Sequence, residues 1–194
     1  MNRFLGVIVA ATISFGAVPA IAAGWTLAED SKVAFGSVKK GTVGEAHHFS
    51  ELSGSVSEDC TAMIEIDVTS AETWIDIRNE RMQKHVFHSD KFPKATAAAK
   101  LDMSEFAELQ PGEVTTTTAK VKLAFLGKEI PVEAELFVVA LANDKVMVTT
   151  DEMLMVSTAD LGITAGVDEL MKLAKLPSIT RVTPVTLRLI FEKQ

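Results

Sequence analysis

The strongest constraint on the fold is a two-residue alternation of apolar and polar side chains along most of the chain. Between residues 62 and 68, apolar side chains at every second position are separated by Met63, Glu65 and Asp67. A period of two is that of a strand with one buried face, whereas a helix repeats every ~3.6 residues. The same period recurs in residues 119–125, 130–138 and 185–191, and residues 145–149 and 153–157 resemble further strands. The sequence therefore predicts a protein made mostly of β-strands.

Two segments depart from this pattern and are predicted to be short helices. They cover residues 76–87 and residues 165–174. In the second segment, apolar side chains three and four positions apart form one stripe, and Pro177 marks where the helix stops. We expect this stripe to pack the helix on the sheet rather than to contact a ligand. Between the helices, Leu126-Gly127-Lys128-Glu129 joins two alternating segments and predicts a hairpin.

Roughly eight strands joined by hairpins leave exposed sheet edges unless the sheet closes on itself. Closure into an antiparallel barrel removes the edges, and an eight-stranded barrel has an interior that either packs solid or holds one ligand. A sandwich of two sheets would show the same alternation. The alternation thus predicts an all-β fold with one or two short helices, and leaves open a barrel or a sandwich.

The first 23 residues have the features of a secretory signal peptide. Arg3 precedes an apolar run, and the small residues at 20–23 resemble a cleavage site after Ala22 or Ala23. The uninterrupted apolar run is shorter than the ~20 residues of a membrane span, and an uncleaved anchor is the competing interpretation. We therefore expect a signal peptide over residues 1–23, a single domain over residues 24–194, and export to the periplasm.

The charge and the cysteine content exclude some functions. The net charge is −7, and removal of the signal peptide takes away Arg3 and no acid, which makes the balance more negative. Nucleic acid requires clustered basic side chains, so an acidic domain is a poor candidate to bind it. The single cysteine, Cys60, cannot form an intramolecular disulfide. Packing alone must stabilise the exported domain.

Several motifs, in the order in which they occur, resemble those of the YceI-like family. They are Lys32-Val33-Ala34-Phe35, Glu45-Ala46-His47-His48-Phe49, Leu52-Ser53-Gly54, and residues 73–82, 126–132 and 176–186. The resemblance implies a single eight-stranded, antiparallel, lipocalin-like β-barrel that is exported to the periplasm. It also implies a lumen that encloses a long polyisoprenoid lipid, such as an isoprenoid quinone or a prenyl phosphate, for storage or transport. Residues 78–82 read Arg-Asn-Glu-Arg-Met, a variant of the family's motif that leaves the identity of the lipid open.

Candidate ligand contacts come from the alternating apolar faces and from the first helix. The lumen candidates are Phe35, Ile64, Ile66, Met82, Phe125, Leu136, Leu187 and Leu189. A closed core would use the same side chains, so alternation does not distinguish the two. Arg78 and Arg81 are candidates for contact with the head group, because guanidinium groups donate paired hydrogen bonds to phosphate or carbonyl oxygens. The alternative is a structural salt bridge to Asp76, Glu80 or Asp90.

Other functions also have to be weighed. The histidines form two short clusters that could bind zinc or copper, namely His47, His48, His85 and His88. The spacing of His85 and His88 could place both imidazoles on one helical face. A packed barrel could instead serve as a periplasmic stress or envelope scaffold for a protein partner. No nucleophile elbow, phosphate loop or evident pair of carboxylates indicates an enzyme, so we expect a non-enzymatic protein without a cofactor. Lipid transfer would need transient contact with a membrane or a membrane protein. The sequence does not indicate the oligomeric state.

Overall fold

The computed structural model describes residues 23–106 and 108–194. The predicted signal peptide lies outside these residues, apart from Ala23 at the start of the first strand. The strands are β1 (Ala23–Leu27), β2 (Lys32–Lys39), β3 (Val43–Phe49), β4 (Leu52–Ser57), β5 (Thr61–Asp67), β6 (Ala71–Glu72), β7 (Lys94–Lys100), β8 (Val114–Phe125), β9 (Lys128–Leu141), β10 (Lys145–Thr150), β11 (Leu154–Ser157) and β12 (Val182–Lys193). The helical segments are α1 (Asp76–Met82), a π-helix (Gln83–Phe87) directly after it, α2 (Thr164–Leu173), and short 3-10 turns at Val68–Ser70 and Met103–Glu105. None of the helices in the described ranges is long and apolar enough to cross a bilayer.

Eight of these strands close into an antiparallel barrel, which confirms the predicted fold. Their order around the barrel is β1, β4, β5, β7, β8, β9, β10 and β12, and β12 pairs with β1 to complete the ring. The remaining strands extend the wall. β2 pairs with β12 and with β3, β6 pairs with β3, and β11 pairs with β12. The alternative of a two-sheet sandwich is therefore wrong.

The long hairpin of β8 and β9 shows why the alternation specifies this wall. Leu126 and Gly127 form its two-residue turn, with φ angles of 50° and 73°, and Phe125 lies opposite Lys128. Positive φ at both turn positions matches the right-handed twist of the two strands. Phe125 is buried while Lys120 on the same strand is exposed, as the two-residue period predicts.

Both predicted helices are present. The first covers residues 76–87 as α1 and the π-helix, and it ends where His88 adopts a left-handed conformation with φ of 47°. The second lies within one residue of its predicted bounds. Gly166 of α2 comes so close to the π-helix that a Cβ atom there would lie 2.2 Å from the carbonyl oxygen of His85. A glycine is thus required for α2 to pack on the first helical segment.

The helices lie across one end of the barrel, which we call the helical end. Val86 and Phe87 of the π-helix and Val167 of α2 share a buried cluster with Ala95 and Phe125. Ala95 lies near the start of β7 and Phe125 ends the antiparallel neighbour β8, so both mark the same end of the wall. The helices thereby cover part of one mouth of the barrel with apolar side chains, and Ile75 and Ile77 stay exposed at its edge.

Candidate functional site

The interior of the barrel holds a cavity of about 1170 Å³. Pockets for drug-sized ligands are roughly 300–1,000 Å³, and protein cores contain few voids larger than a water molecule. The barrel is therefore not packed solid, and the packed-barrel version of the scaffold and metal alternatives does not fit the structure. An interior of this size can hold a ligand larger than most small metabolites.

The structure places all eight predicted lumen side chains on the wall of this cavity. They are Phe35, Ile64, Ile66, Met82, Phe125, Leu136, Leu187 and Leu189, and they come from β2, β5, α1, β8, β9 and β12. The wall is mainly apolar along the strands, because each contributes the buried face of its alternation. Contact of these eight side chains with a ligand stays a prediction.

Other parts of the wall were not predicted. Ala95, Ala97 and Ala99 of β7 line the cavity, as do Val167 and Leu170 of α2. The stripe of α2 packs on the core, as predicted, and also borders the cavity. The expectation that it does not contact a ligand stays a prediction. The small side chains of β7 leave room inside the barrel, since an alanine occupies little of the lumen.

A polar cluster lies on the cavity wall at the helical end. Glu45 accepts a hydrogen bond from Lys39, with Nζ 2.8 Å from Oε1, and forms an ion pair with Arg78, with Nη1 2.8 Å from Oε2. Arg78 also donates to the carbonyl oxygen of Thr73. All of these charged side chains are mostly buried. The salt bridge expected for Arg78 exists, but its partner is Glu45.

The prediction that Arg78 pairs with Asp76, Glu80 or Asp90 is wrong. Glu45 lies on β3, more than thirty positions before Arg78, so local sequence spacing could not identify it. Burial acts to raise the pKa of Glu45, but the hydrogen bonds and charges of Arg78 and Lys39 outweigh it and lower the pKa. Glu45 is consequently ionised at neutral pH and holds the two cations against the cavity.

His47 adds a neutral polar group to this cluster. It is only 4% exposed, and its Nε2 lies 3.4 Å from the hydroxyl of Ser37. Burial, assisted by the charge of Arg78, lowers the pKa of His47, which keeps the ring uncharged at neutral pH. Within the described residues, Nδ1 of His47 and Nε of Arg78 have no hydrogen-bond partner. Both atoms are fully buried, so the side chains of His47 and Arg78 face the cavity with their other atoms.

Arg81 lies on the same cavity wall, one helical turn after Arg78. No carboxylate of the described residues lies within ion-pair distance of Arg81. The three positive charges of Lys39, Arg78 and Arg81 exceed the single negative charge of Glu45. The wall at the helical end therefore presents an excess of positive charge to the interior.

The histidines do not support the metal hypothesis. His47 faces the cavity, whereas His48 lies on the opposite face of β3 and packs against Trp74 with ring centroids 5.5 Å apart. His85 and His88 were expected to share one helical face, which is wrong because the helix ends at Phe87. The described residues contain no group of three or more histidine, cysteine or acidic side chains that could hold a metal ion.

Comparisons with known proteins agree with this architecture. Residues 25–189 match the family model described as the YceI-like domain. A polyisoprenoid binding domain from Saccharophagus degradans, implicated in plant cell wall breakdown, is 32% identical with a TM-score of 0.86, over 89% of this chain and 99% of that one. BcnA from Burkholderia cenocepacia is 18% identical with a TM-score of 0.63, over 82% and 95% of the two chains. The Campylobacter jejuni YCEI protein is 10% identical with a TM-score of 0.54, over 100% of both chains.

The last two similarities show the fold alone, since both identities are low. No curated protein matches the sequence.

Proposed function

This chain belongs to the YceI-like family, and from that premise we propose that it is a non-enzymatic protein whose barrel encloses the tail of one long-chain isoprenoid lipid. The mature protein comprises residues 24–194 and works in the periplasm after cleavage of residues 1–23. There it stores the lipid or carries it through water.

The observation that supports this proposal most is the large apolar cavity. Each CH₂ group removed from water contributes ~0.8 kcal/mol, so about ten enclosed carbons contribute on the order of 8 kcal/mol. Association costs an estimated ~4–15 kcal/mol, so a tail of ten carbons binds weakly and a longer one binds well. A polyisoprenoid tail has the required length, and the relative from Saccharophagus degradans is described as a polyisoprenoid binding domain.

The polar cluster at the helical end supports an orientation for the lipid. The tail lies along the apolar wall, and the head group lies against His47, Arg78 and Arg81. Arg81 supplies a cation that no carboxylate of the described residues neutralises. In the reverse orientation the head group would lie near Asn143, Asp144, Lys145 and Lys193, where the acidic Asp144 and Glu192 balance the two lysines.

The charge of the cluster favours a prenyl phosphate over an isoprenoid quinone. A phosphate oxygen gains charge-assisted hydrogen bonds from arginine, which are about twice as strong as neutral ones. A quinone carbonyl can accept a hydrogen bond from the same donors, but it brings no negative charge to balance Lys39, Arg78 and Arg81. The two head groups therefore make different demands on the same site.

Native mass spectrometry of the lipid-free mature protein tests this function. The protein is mixed with a prenyl phosphate, a prenyl quinone of the same tail length, or a saturated fatty acid. We expect one prenyl lipid per barrel, with the phosphate bound more tightly than the quinone and both more tightly than the fatty acid. Failure to bind either prenyl lipid would contradict the proposal.

A further inference from the structure

Four apolar side chains are exposed at the helical end, close to the polar cluster. Trp74 is 75% exposed, and Val43, Ile75 and Ile77 are between 41% and 50% exposed. Single exposed apolar residues are common on any protein surface, but these are grouped. Trp74, Ile75 and Ile77 lie within four positions of the chain. Val43 is two residues from Glu45, and Glu45 forms an ion pair with Arg78, which directly follows Ile77. We call Val43, Trp74, Ile75 and Ile77 the rim patch.

The rim patch is continuous with the wall of the cavity. Ile75 and Ile77 are exposed to solvent and also line the cavity, next to Arg78 and Arg81. Trp74 lies outside them, where it packs on His48 of the outer face of β3. An apolar surface therefore extends from inside the barrel, over its edge, to the outer surface.

The main chain holds Trp74 outward at an energetic cost. Its φ angle is 65°, a strained left-handed conformation that is rare for a bulky residue. The neighbouring groups fix this geometry, since Glu72 accepts the Trp74 N–H and the buried Thr73 donates its N–H to Asn79 Oδ1 at 2.9 Å. Because the indole is mostly exposed, it gains little packing in return. Such strain at an exposed aromatic residue indicates a partner outside the barrel.

Most basic side chains near the rim patch belong to the cavity wall. Lys39, Arg78 and Arg81 line the cavity together with Glu45. The other charged side chains of residues 39–45 and 72–84 are the basic Lys40 and Lys84 and the acidic Glu72, Asp76 and Glu80. The affinity of the rim patch for a bilayer therefore rests on its apolar side chains, since exposed tryptophan and isoleucine are typical of surfaces that bind at the interface of a bilayer.

We propose that the rim patch docks on the surface of a lipid bilayer, with Trp74 at the level of the head groups and Ile75 and Ile77 facing the acyl chains. This inference rests on the proposed function, because only a membrane lipid as cargo gives the cavity a reason to open on a bilayer. Docking places the cavity wall against the apolar phase. An isoprenoid tail then passes between membrane and barrel without exposing its apolar surface to water.

Sedimentation with vesicles free of prenyl lipid tests the docking surface separately from the cargo. The vesicles consist of phosphatidylcholine alone, or of phosphatidylcholine and phosphatidylglycerol in equal amounts. We expect the wild-type protein to bind both kinds of vesicle to a similar extent. Trp74→Ala should bind about tenfold more weakly, because it loses the largest apolar side chain of the rim patch. Trp74 does not line the cavity, so this variant should still bind a prenyl lipid by native mass spectrometry.

Met63→Ala is the matched control, since Met63 is half exposed on the outer face of β5 and does not line the cavity. It should bind vesicles as the wild type does. Circular dichroism melting checks that both variants fold. Equal vesicle binding by the wild type and Trp74→Ala, or no binding by either, would overturn the docking surface. Retention of the wild type only by vesicles that carry membrane proteins would also overturn it, in favour of a protein partner. If the wild-type protein bound vesicles but bound no prenyl lipid in native mass spectrometry, the proposed function would be overturned and the docking surface would stay supported.

Discussion

Larger side chains inside the lumen should weaken lipid binding without destabilising the fold. Ala97 and Ala99 lie on the inward face of β7 and line the cavity, and Ala97 pairs with Ile64 and Leu123 of the neighbouring strands. The double variant Ala97→Leu with Ala99→Leu adds three carbons at each position. These side chains project into the cavity, where the proposed tail lies.

The size of the effect is set by the carbons that the tail loses. Six displaced carbons at ~0.8 kcal/mol each correspond to about 5 kcal/mol, which weakens binding more than a thousandfold. A tail that slides along the lumen loses fewer carbons, and a loss of only two still weakens binding about tenfold. The lipid-free protein should keep or gain stability, because the new side chains occupy empty space.

Fluorescence titration with a labelled prenyl lipid measures the affinity, and denaturant unfolding of the lipid-free protein measures the stability. The control is Ala124→Leu, an exposed position on β8 that does not line the cavity and should bind as the wild type does. If the double variant bound the lipid normally and lost ~1–3 kcal/mol of stability, the loss would be that of an overpacked closed core. That result would refute the claim that Ala97 and Ala99 face a lumen that holds the lipid tail.

Three further predictions concern single residues. Arg81→Gln should weaken the binding of a prenyl phosphate by about tenfold to a hundredfold and that of a quinone much less, because a charge-assisted hydrogen bond contributes ~1.5–3 kcal/mol. In native mass spectrometry, Lys84→Gln at an exposed position should change the binding of neither lipid. Equal losses of affinity for both lipids in Arg81→Gln would contradict a phosphate contact. The pKa of His47 is lowered in the folded protein, so the unfolded chain takes up the proton first and stability should fall as the pH drops below the usual value of 6.5. Denaturant unfolding above and below that pH should show a smaller loss for His47→Gln, and an unchanged loss would show that His47 is not the group responsible. Gly54→Ala places a Cβ 2.7 Å from the carbonyl oxygen of Met63 and should cost about 1–3 kcal/mol, whereas Gly44→Ala meets nothing within 4 Å and should be nearly neutral; thermal melts that rank the two equally would contradict the close packing at Gly54.

The sequence predicts the barrel wall well where apolar and polar side chains differ clearly. In β8, Val121 and Leu123 face inward and Lys120 and Lys122 face outward, so a period of two identifies both the strand and its orientation. The hairpin turn is equally local, because its geometry depends on two adjacent residues. The family resemblance adds the closure of the barrel, which alternation alone leaves open.

Segments without that contrast could not be predicted in the same way. β7 reads Lys-Ala-Thr-Ala-Ala-Ala-Lys, and alanine neither favours strands nor marks one face as apolar. The alternation therefore did not predict β7 as part of the wall, although the small side chains of β7 leave space in the lumen.

The candidate site depends on pairs that are distant in the sequence. Both arginines of α1 were predicted as candidates for the head group, but the ion pair of Arg78 with Glu45 exists only because α1 folds back over β3. The same holds for His47, whose unpartnered Nδ1 atom follows from three-dimensional burial. His88 shows the opposite error, since a spacing typical of one helical face was interrupted by the end of the helix.

The most direct test of the account is the lipid content of the protein as its own host makes it. The mature protein is purified from the periplasmic fraction without detergent, extracted with organic solvent, and the extract is analysed by mass spectrometry. We expect one polyisoprenoid lipid per barrel. An extract without an isoprenoid lipid, from a protein that also fails to bind added prenyl lipids, would contradict the claim that the cavity encloses an isoprenoid tail.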